Sequence, residues 1–243
     1  MGQTEWFGTW FDSPFYHVLY KHRDYDEARA FIRVLVEQLG IASGQKILDV
    51  ACGKGRHAIQ LNNMGFEVEG IDLSAQNIEH AKAFENDKLH FARHDMREVY
   101  KEEAFDVVLN LFTSFGYFDT HVEHEQAIKA MAAALKPGGS FVLDFLNPYV
   151  VINELVQEEV KIIDNIEFHI NKSYDGEFIL KKINFKDGGK EYEYLEKVKA
   201  IRRIEFLEYF RNAGLKLINT YGDYHMAPYE PEQSDRLIFW LKK

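Results

Sequence analysis

The spacing of apolar positions changes character three times along this chain. Up to Gly40 it is helical. Tyr16, Leu19 and Tyr20 would share a face after a start at Asp12-Ser13-Pro14, and Ala28, Phe31, Ile32, Leu35, Val36 and Leu39 make a second stripe that Gly40 closes. From Lys46 to Pro148 short apolar runs alternate with helical stripes. This predicts strands near 46–50, 67–71, 89–92, 105–111 and 140–145, with helices near 56–64, 75–84 and 121–135. Ser74 can cap the second of these helices, and Thr120 with Glu123 forms a capping box for the third. Such alternation implies right-handed crossovers and a parallel sheet covered on both faces.

After Pro148 the rhythm turns to period two. A short helix near 150–156 precedes three runs rich in β-branched and aromatic residues, near 160–171, 177–185 and 191–201. Asp175-Gly176 and Asp187-Gly188-Gly189 separate them as hairpin turns, so residues 149–201 read as an antiparallel β insertion. A helix near 204–212, ended by Gly214, then leads to strands near 215–221 and 236–241 that would complete a seven-stranded sheet. Asn147-Pro148 reads as a helix start with proline in the first turn. The expected layout is a helical layer at 1–42 and an α/β core at 43–148 plus 202–243, with the insertion between the two core segments.

Composition narrows the functional classes. The 243 residues suffice for one large domain, and 46% hydrophobic with 28% charged residues is ordinary for a globular protein. The net charge of −10 opposes docking on nucleic acid or an anionic membrane. Cys52 is the single cysteine, so no intramolecular disulfide forms, and no cysteine-histidine spacing suggests a metal site. No apolar stretch is long enough to span a bilayer and the amino terminus has no signal-peptide pattern, so a cytoplasmic location is expected.

The chemistry concentrates at predicted strand ends. In ILDVACGKGRHA (47–58) a buried strand carries Asp49 and runs into the Gly53-Lys54-Gly55 turn that opens a helix, the arrangement that holds nucleotide-like ligands. Asp49 would repel a diphosphate, which favours a cation or a sugar hydroxyl as the group facing the turn. GIDLS (70–74) places Asp72 at the end of the second strand, and HDMREV (94–99) places Asp95 after the third. FDVVLNLFTSFGYF (105–118) and LKPGGSFVLDFLNP (135–148) supply the fourth and fifth strands with their flanking turns.

Taken in order, these motifs resemble the class I S-adenosylmethionine-dependent methyltransferases of the small-molecule type. The resemblance implies an α/β, Rossmann-like methyltransferase fold, with S-adenosylmethionine as cofactor and no metal. It implies that Asp49, Ala51, Cys52, Gly53, Gly55 and His57 surround the methionine end of the cofactor, with alanine at position 51 where the family often has a third glycine. Asp72 would bind the ribose hydroxyls and Leu73 would pack on adenine. Asp95 would accept from the adenine amino group and Met96 would flank the ring. Asn110, Leu111 and Phe112 would border the methyl-donor pocket, with Phe115 and Tyr117 toward the substrate.

The aromatic cluster Trp6, Phe7, Trp10, Phe11, Phe15, Tyr16, Tyr20 and Tyr25 admits two accounts. It packs a helical layer onto the sheet, or it forms a lid whose ring faces suit a sulfonium or an amine. In the second account Tyr16 and Arg23 contact the cofactor, Arg23 through its carboxylate, and Tyr20 contacts the substrate. The expected reaction is direct displacement onto oxygen or nitrogen of a small molecule. The catalytic base stays unassigned, with Tyr20, His22, Tyr117 and His225 as candidates.

Two other classes compete. Gly53 to Ala58 also fits the nicotinamide fingerprint G-x-G-x-x-A with Asp72 as the ribose acid, although Asp49 then lies badly and Asp95 has no role. A non-catalytic cofactor-binding module would keep the same motifs. The insertion could roof the pocket or pair with a second copy of the chain, giving a homodimer.

Overall fold

The computed structural model describes residues 6–21 and 25–243, with the side chains of 25–28 outside the described set. Three helices open the chain: α1 (Trp6–Phe11), α2 (Pro14–Leu19) and α3 (Tyr25–Leu39). The core then alternates β1 (Lys46–Val50), α4 (Arg56–Asn63), β2 (Glu67–Asp72), α5 (Ala75–Lys82), β3 (Leu89–Arg93), β4 (Phe105–Asn110), α6 (His121–Ala134) and β5 (Leu135–Leu146). Next come α7 (Pro148–Asn153) and the strands β6 (Glu158–Ile163), β7 (Ile166–Tyr174), β8 (Phe178–Asp187) and β9 (Lys190–Lys199). The chain closes with α8 (Arg203–Asn212), β10 (Lys216–Tyr221) and β11 (Arg236–Lys242).

The main sheet has seven strands in the order β10-β11-β5-β4-β1-β2-β3, and β11 runs antiparallel to both neighbours while the other pairs are parallel. Alternation along each strand splits the core into two layers. Leu48, Val108 and Leu143 pack with Ile128 and Met131 of α6 and Phe206 and Phe210 of α8. Ile47, Val107 and Val142 face the other way, against Phe31 and Leu35 of α3, Leu61 of α4 and Ile78 of α5. The caps read from sequence are made: Ser74 Oγ accepts from Asn77 N, and Thr120 with Glu123 forms a complete capping box. Between β1 and β4 the strand order reverses direction, and open α/β sheets bind ligands at the carboxyl edge there.

The insertion differs from its expectation in one respect. Its first apolar run is two strands, and Asp164 (φ 50°) and Asn165 (φ 66°) make the two-residue turn between β6 and β7. Aspartate and asparagine tolerate the left-handed region without a glycine, which hides such a turn in a β-rich run. The resulting antiparallel sheet β6-β7-β8-β9 buries Phe168, Ile170, Ile183 and Phe185 with Trp10 and Leu19 of the first two helices. No helix among the described residues is long and apolar enough to cross a membrane.

Candidate active site

At the carboxyl ends of β1, β2 and β4, beneath α1 and α2, lies a cavity of about 380 Å³. Its floor is the turn after β1. Ala51 (φ 57°), Gly53 (φ 57°) and Gly55 (φ 84°) all take left-handed backbone. Gly55 has a second constraint, because a Cβ there would sit 2.6 Å from Cζ of Phe91. Cys52 N donates to Ile71 O at 3.0 Å, tying the turn to β2.

Three carboxylates meet the cavity, and each has a different environment. Asp49 is 1% exposed and its Oδ2 has no partner. Burial pushes its carboxyl up to about 7; the Ala58 N–H and Arg56 oppose the rise, and the Asp72 charge adds to it. Asp72 accepts from Gly53 N through Oδ2 and from Ser74 N through Oδ1, each at 2.8 Å. Burial raises its carboxyl in spite of those bonds. Asp95 is gripped by Arg97, with Nε at 3.1 Å from both oxygens and Nη2 at 2.7 Å. Burial would raise this carboxyl, but the Arg97 bonds and charge hold it below the usual range.

The wall after β4 is strained and then braced. Phe112 (φ 57°) and Thr113 (φ 58°) are consecutive non-glycine residues in the left-handed region, which costs about 1–3 kcal/mol each. Asp144 of β5 holds both, accepting from Phe112 N at 2.7 Å through Oδ2 and from Thr113 N at 3.0 Å through its carbonyl. Arg236 of β11 donates to Asp144 Oδ1 and to Thr113 Oγ1, each at 2.8 Å. The Phe112 ring stacks with His57 and with Tyr224, both at 4.8 Å, and the Arg56 guanidinium lies 4.7 Å from its centre. Burial, with Arg56 adjoining, pushes His57 down to about 3, so its imidazole is neutral.

The roof joins α1, α2 and the insertion. Glu196 of β9 accepts from Trp10 Nε1 at 2.7 Å and from Tyr20 Oη at 2.6 Å, and Lys181 of β8 donates to the same Tyr20 oxygen. Phe11 and Trp6 pack edge-on against Tyr117, whose hydroxyl donates to Thr113 O at 2.6 Å. The Asp12 carboxylate accepts from Ser74 Oγ, seating this layer on the turn that carries Asp72.

The cavity brings together Tyr16, Tyr20, Asp49, Ala51, Cys52, Gly53, His57, Asp72, Leu73, Asp95, Met96, Leu111, Phe112, Phe115 and Tyr117. Two expected residues stand behind its wall. Gly55 packs on Phe91, and Asn110 is fully buried, donating to Val50 O at 3.1 Å. Arg23 and His22 lie outside the described residues, as does the Tyr25 side chain. His225 is exposed on the loop between β10 and β11 and does not line the cavity. His17, Lys54 and Asn77 line it without having been singled out. His17 had a signal, one turn before Tyr20 on the aromatic face, whereas Asn77 resembles any polar residue in a first helical turn.

The donor set fits S-adenosylmethionine. An unpaired buried carboxylate oxygen at Asp49 suits an ammonium, and Asp72 retains lone pairs for hydroxyl donors. A diphosphate would meet the Asp49 carboxyl instead of the N–H groups it needs, which removes the nicotinamide reading.

Strand order, cavity position and carboxylate placement define a Rossmann-like, nucleoside-cofactor methyltransferase fold. Residues 47–139 match the family described as methyltransferase domain. The chain is similar to the glycine/sarcosine N-methyltransferase of Aphanothece halophytica, 26% identical over 231 residues that cover 91% of this chain and 83% of that one. Among solved structures, an S-adenosylmethionine-dependent methyltransferase from Clostridium acetobutylicum ATCC 824 superposes with a TM-score of 0.79 at 19% identity, covering 93% and 94% of the two chains. CalS10, an amino pentose methyltransferase from Micromonospora echinaspora solved with S-adenosylmethionine bound, gives 0.71 at 21% identity, covering 95% and 97%. The chain is a class I S-adenosylmethionine-dependent methyltransferase, and S-adenosylmethionine is its cofactor.

Proposed function

We propose that this enzyme methylates an amine nitrogen of a small molecule admitted between the roof and the wall after β4. The observation that carries the reading is the chemistry of that end of the cavity, which is lined by aromatic rings from Phe11, Tyr16, Tyr20 and Tyr117. The Tyr20 and Tyr117 hydroxyls donate to Glu196 and to Thr113 O. His57 is buried and stacked. His17 is pushed down to about 4 by burial, with Lys54 and His80 adding to the effect. An amine reaches such a site neutral and needs no base, whereas a hydroxyl would need one. The amine nitrogens named for the glycine/sarcosine enzyme agree with this reading.

When bound, S-adenosylmethionine supplies an electrophilic methyl group on a sulfonium. The chain's own part is orientation and exclusion of water. In this reading Asp49 takes the ammonium of the cofactor and Asp72 the ribose hydroxyls, while Leu73 and Met96 pack on adenine and Asp95 accepts from its amino group. Phe112, braced by Asp144 and Arg236, sets one wall of the methyl pocket. The helices α1 and α2 act as the lid, whereas α3 packs into the core of the sheet, and ring faces in the lid attract a cationic centre by about 0.5–2 kcal/mol each.

The test is a product screen. Enzyme with S-adenosylmethionine carrying a labelled methyl group, incubated with pools of small amines and of hydroxy compounds, should label amines. Label appearing only in hydroxy compounds would overturn the nitrogen assignment. Asp72→Ala should weaken cofactor binding at least tenfold, since each hydrogen bond to a charged group contributes about 1.5–3 kcal/mol.

A further inference from the structure

Among the described residues, six buried side-chain polar atoms have no hydrogen-bond partner: Trp6 Nε1, Asp49 Oδ2, Asn77 Oδ1, Asn110 Oδ1, His124 Nε2 and Thr220 Oγ1. Two of those residues, Asp49 and Asn77, line the cavity. A buried amide oxygen left without a donor is a standing penalty that a ligand donor would relieve. Asp49 already has a place in the cofactor site. Asn77 has none.

The surroundings of Asn77 identify the donor. It is the third residue of α5, its N–H donates to the Ser74 cap at 3.0 Å, and it is 5% exposed, so its side chain is held at the head of the helix. Its side chain interacts with the Asp72 carboxylate on one side, the amide N–H favouring the charged form, and with the His17 ring of α2 on the other, yet no donor among the described residues meets Oδ1 at hydrogen-bond geometry. Each Asp72 oxygen already accepts one backbone N–H, from Gly53 or from Ser74. A neutral carbonyl acceptor beside a partly occupied carboxylate matches two neighbouring hydroxyl donors better than a cation, which would be drawn to the carboxylate alone.

We infer that Asn77 Oδ1 is a hydroxyl acceptor of the cofactor site, taking one of the two ribose hydroxyls alongside Asp72. The inference rests on the ribose role proposed for Asp72, and it adds a residue of α5 that senses whether that hydroxyl is present.

Calorimetric titration with S-adenosylhomocysteine and its 2′-deoxy and 3′-deoxy analogues tests it, with wild type, Asn77→Leu, Asn77→Ser and Asp72→Ala compared. Loss of one neutral hydrogen bond should weaken S-adenosylhomocysteine binding roughly fivefold to tenfold in both Asn77 variants. Those variants should also stop distinguishing one of the deoxy analogues from the parent ligand, because the hydroxyl no longer has its acceptor. Unchanged affinity in the Asn77 variants overturns the inference, as does an equal loss for all three ligands, which is what a packing defect would give. If Asp72→Ala also keeps full affinity, the ribose reading fails with it. If Asp72→Ala weakens binding and the Asn77 variants do not, the inference alone fails.

Discussion

Protonation of Asp49 should control cofactor affinity across neutral pH. The carboxyl is buried and pushed up to about 7, so near neutrality the free protein holds it as a mixture of acid and carboxylate. A bound ammonium favours the carboxylate, so binding below pH 7 must expel a proton. If the bound carboxyl falls below about 5, affinity should drop about tenfold between pH 8 and pH 6, equivalent to about 1.4 kcal/mol. Titration calorimetry with S-adenosylhomocysteine, in two buffers of different ionisation enthalpy, measures both quantities. Proton release should approach one per site at pH 6 and vanish at pH 8. Asp49→Asn should flatten both curves.

The same group makes a stability prediction of opposite sense. Its folded pKa lies above the unfolded one, so between about pH 4 and 7 the folded state retains a proton that the unfolded state gives up. Stability therefore falls as pH rises through that window, by up to about 4 kcal/mol for a three-unit difference. Asp49→Asn should recover much of this at pH 8, giving a more stable protein that binds cofactor less well. A flat affinity profile with no proton release, together with no gain in stability, would refute the role given to this carboxyl.

Two further predictions concern the scaffold of the site. Gly55→Ala puts a Cβ 2.6 Å from the Phe91 ring in a left-handed position, so chemical denaturation should show a loss of about 1–3 kcal/mol or more. Arg236→Met leaves Asp144, which is fully buried, without its ion-pair partner, and should cost about 3–5 kcal/mol by urea denaturation. Asp144→Asn combined with Arg236→Met should recover part of that loss, because the uncompensated charge is gone.

The local and periodic features were legible from the residues alone. Apolar spacing marked the core strands and helices, because a strand buried on both faces reads as a continuous apolar run and a helix as a stripe. Ser74, Thr120 with Glu123, and Asn147-Pro148 marked helix starts, because capping is chemistry within one turn. The acids at successive strand ends marked the cavity, since a parallel sheet gathers its carboxyl ends at one edge. The turn at Asp164-Asn165 escaped notice because nothing in it interrupts a β-rich run.

Tertiary structure decided what depended on distant partners. The elevated proton affinity of Asp49 comes from burial beneath a turn. The grip of Arg97 on Asp95 comes from one side-chain conformation among several. Asp144 and Arg236, on strands far apart in the chain, meet only because β11 inserts beside β5, and together they hold Phe112 in its strained place. Asn77 gained meaning only when its oxygen proved buried, unpaired and beside Asp72. Sequence spacing names which side chains can reach a site; burial and the choice of partner set what each can do there, and both depend on the packing of the whole chain.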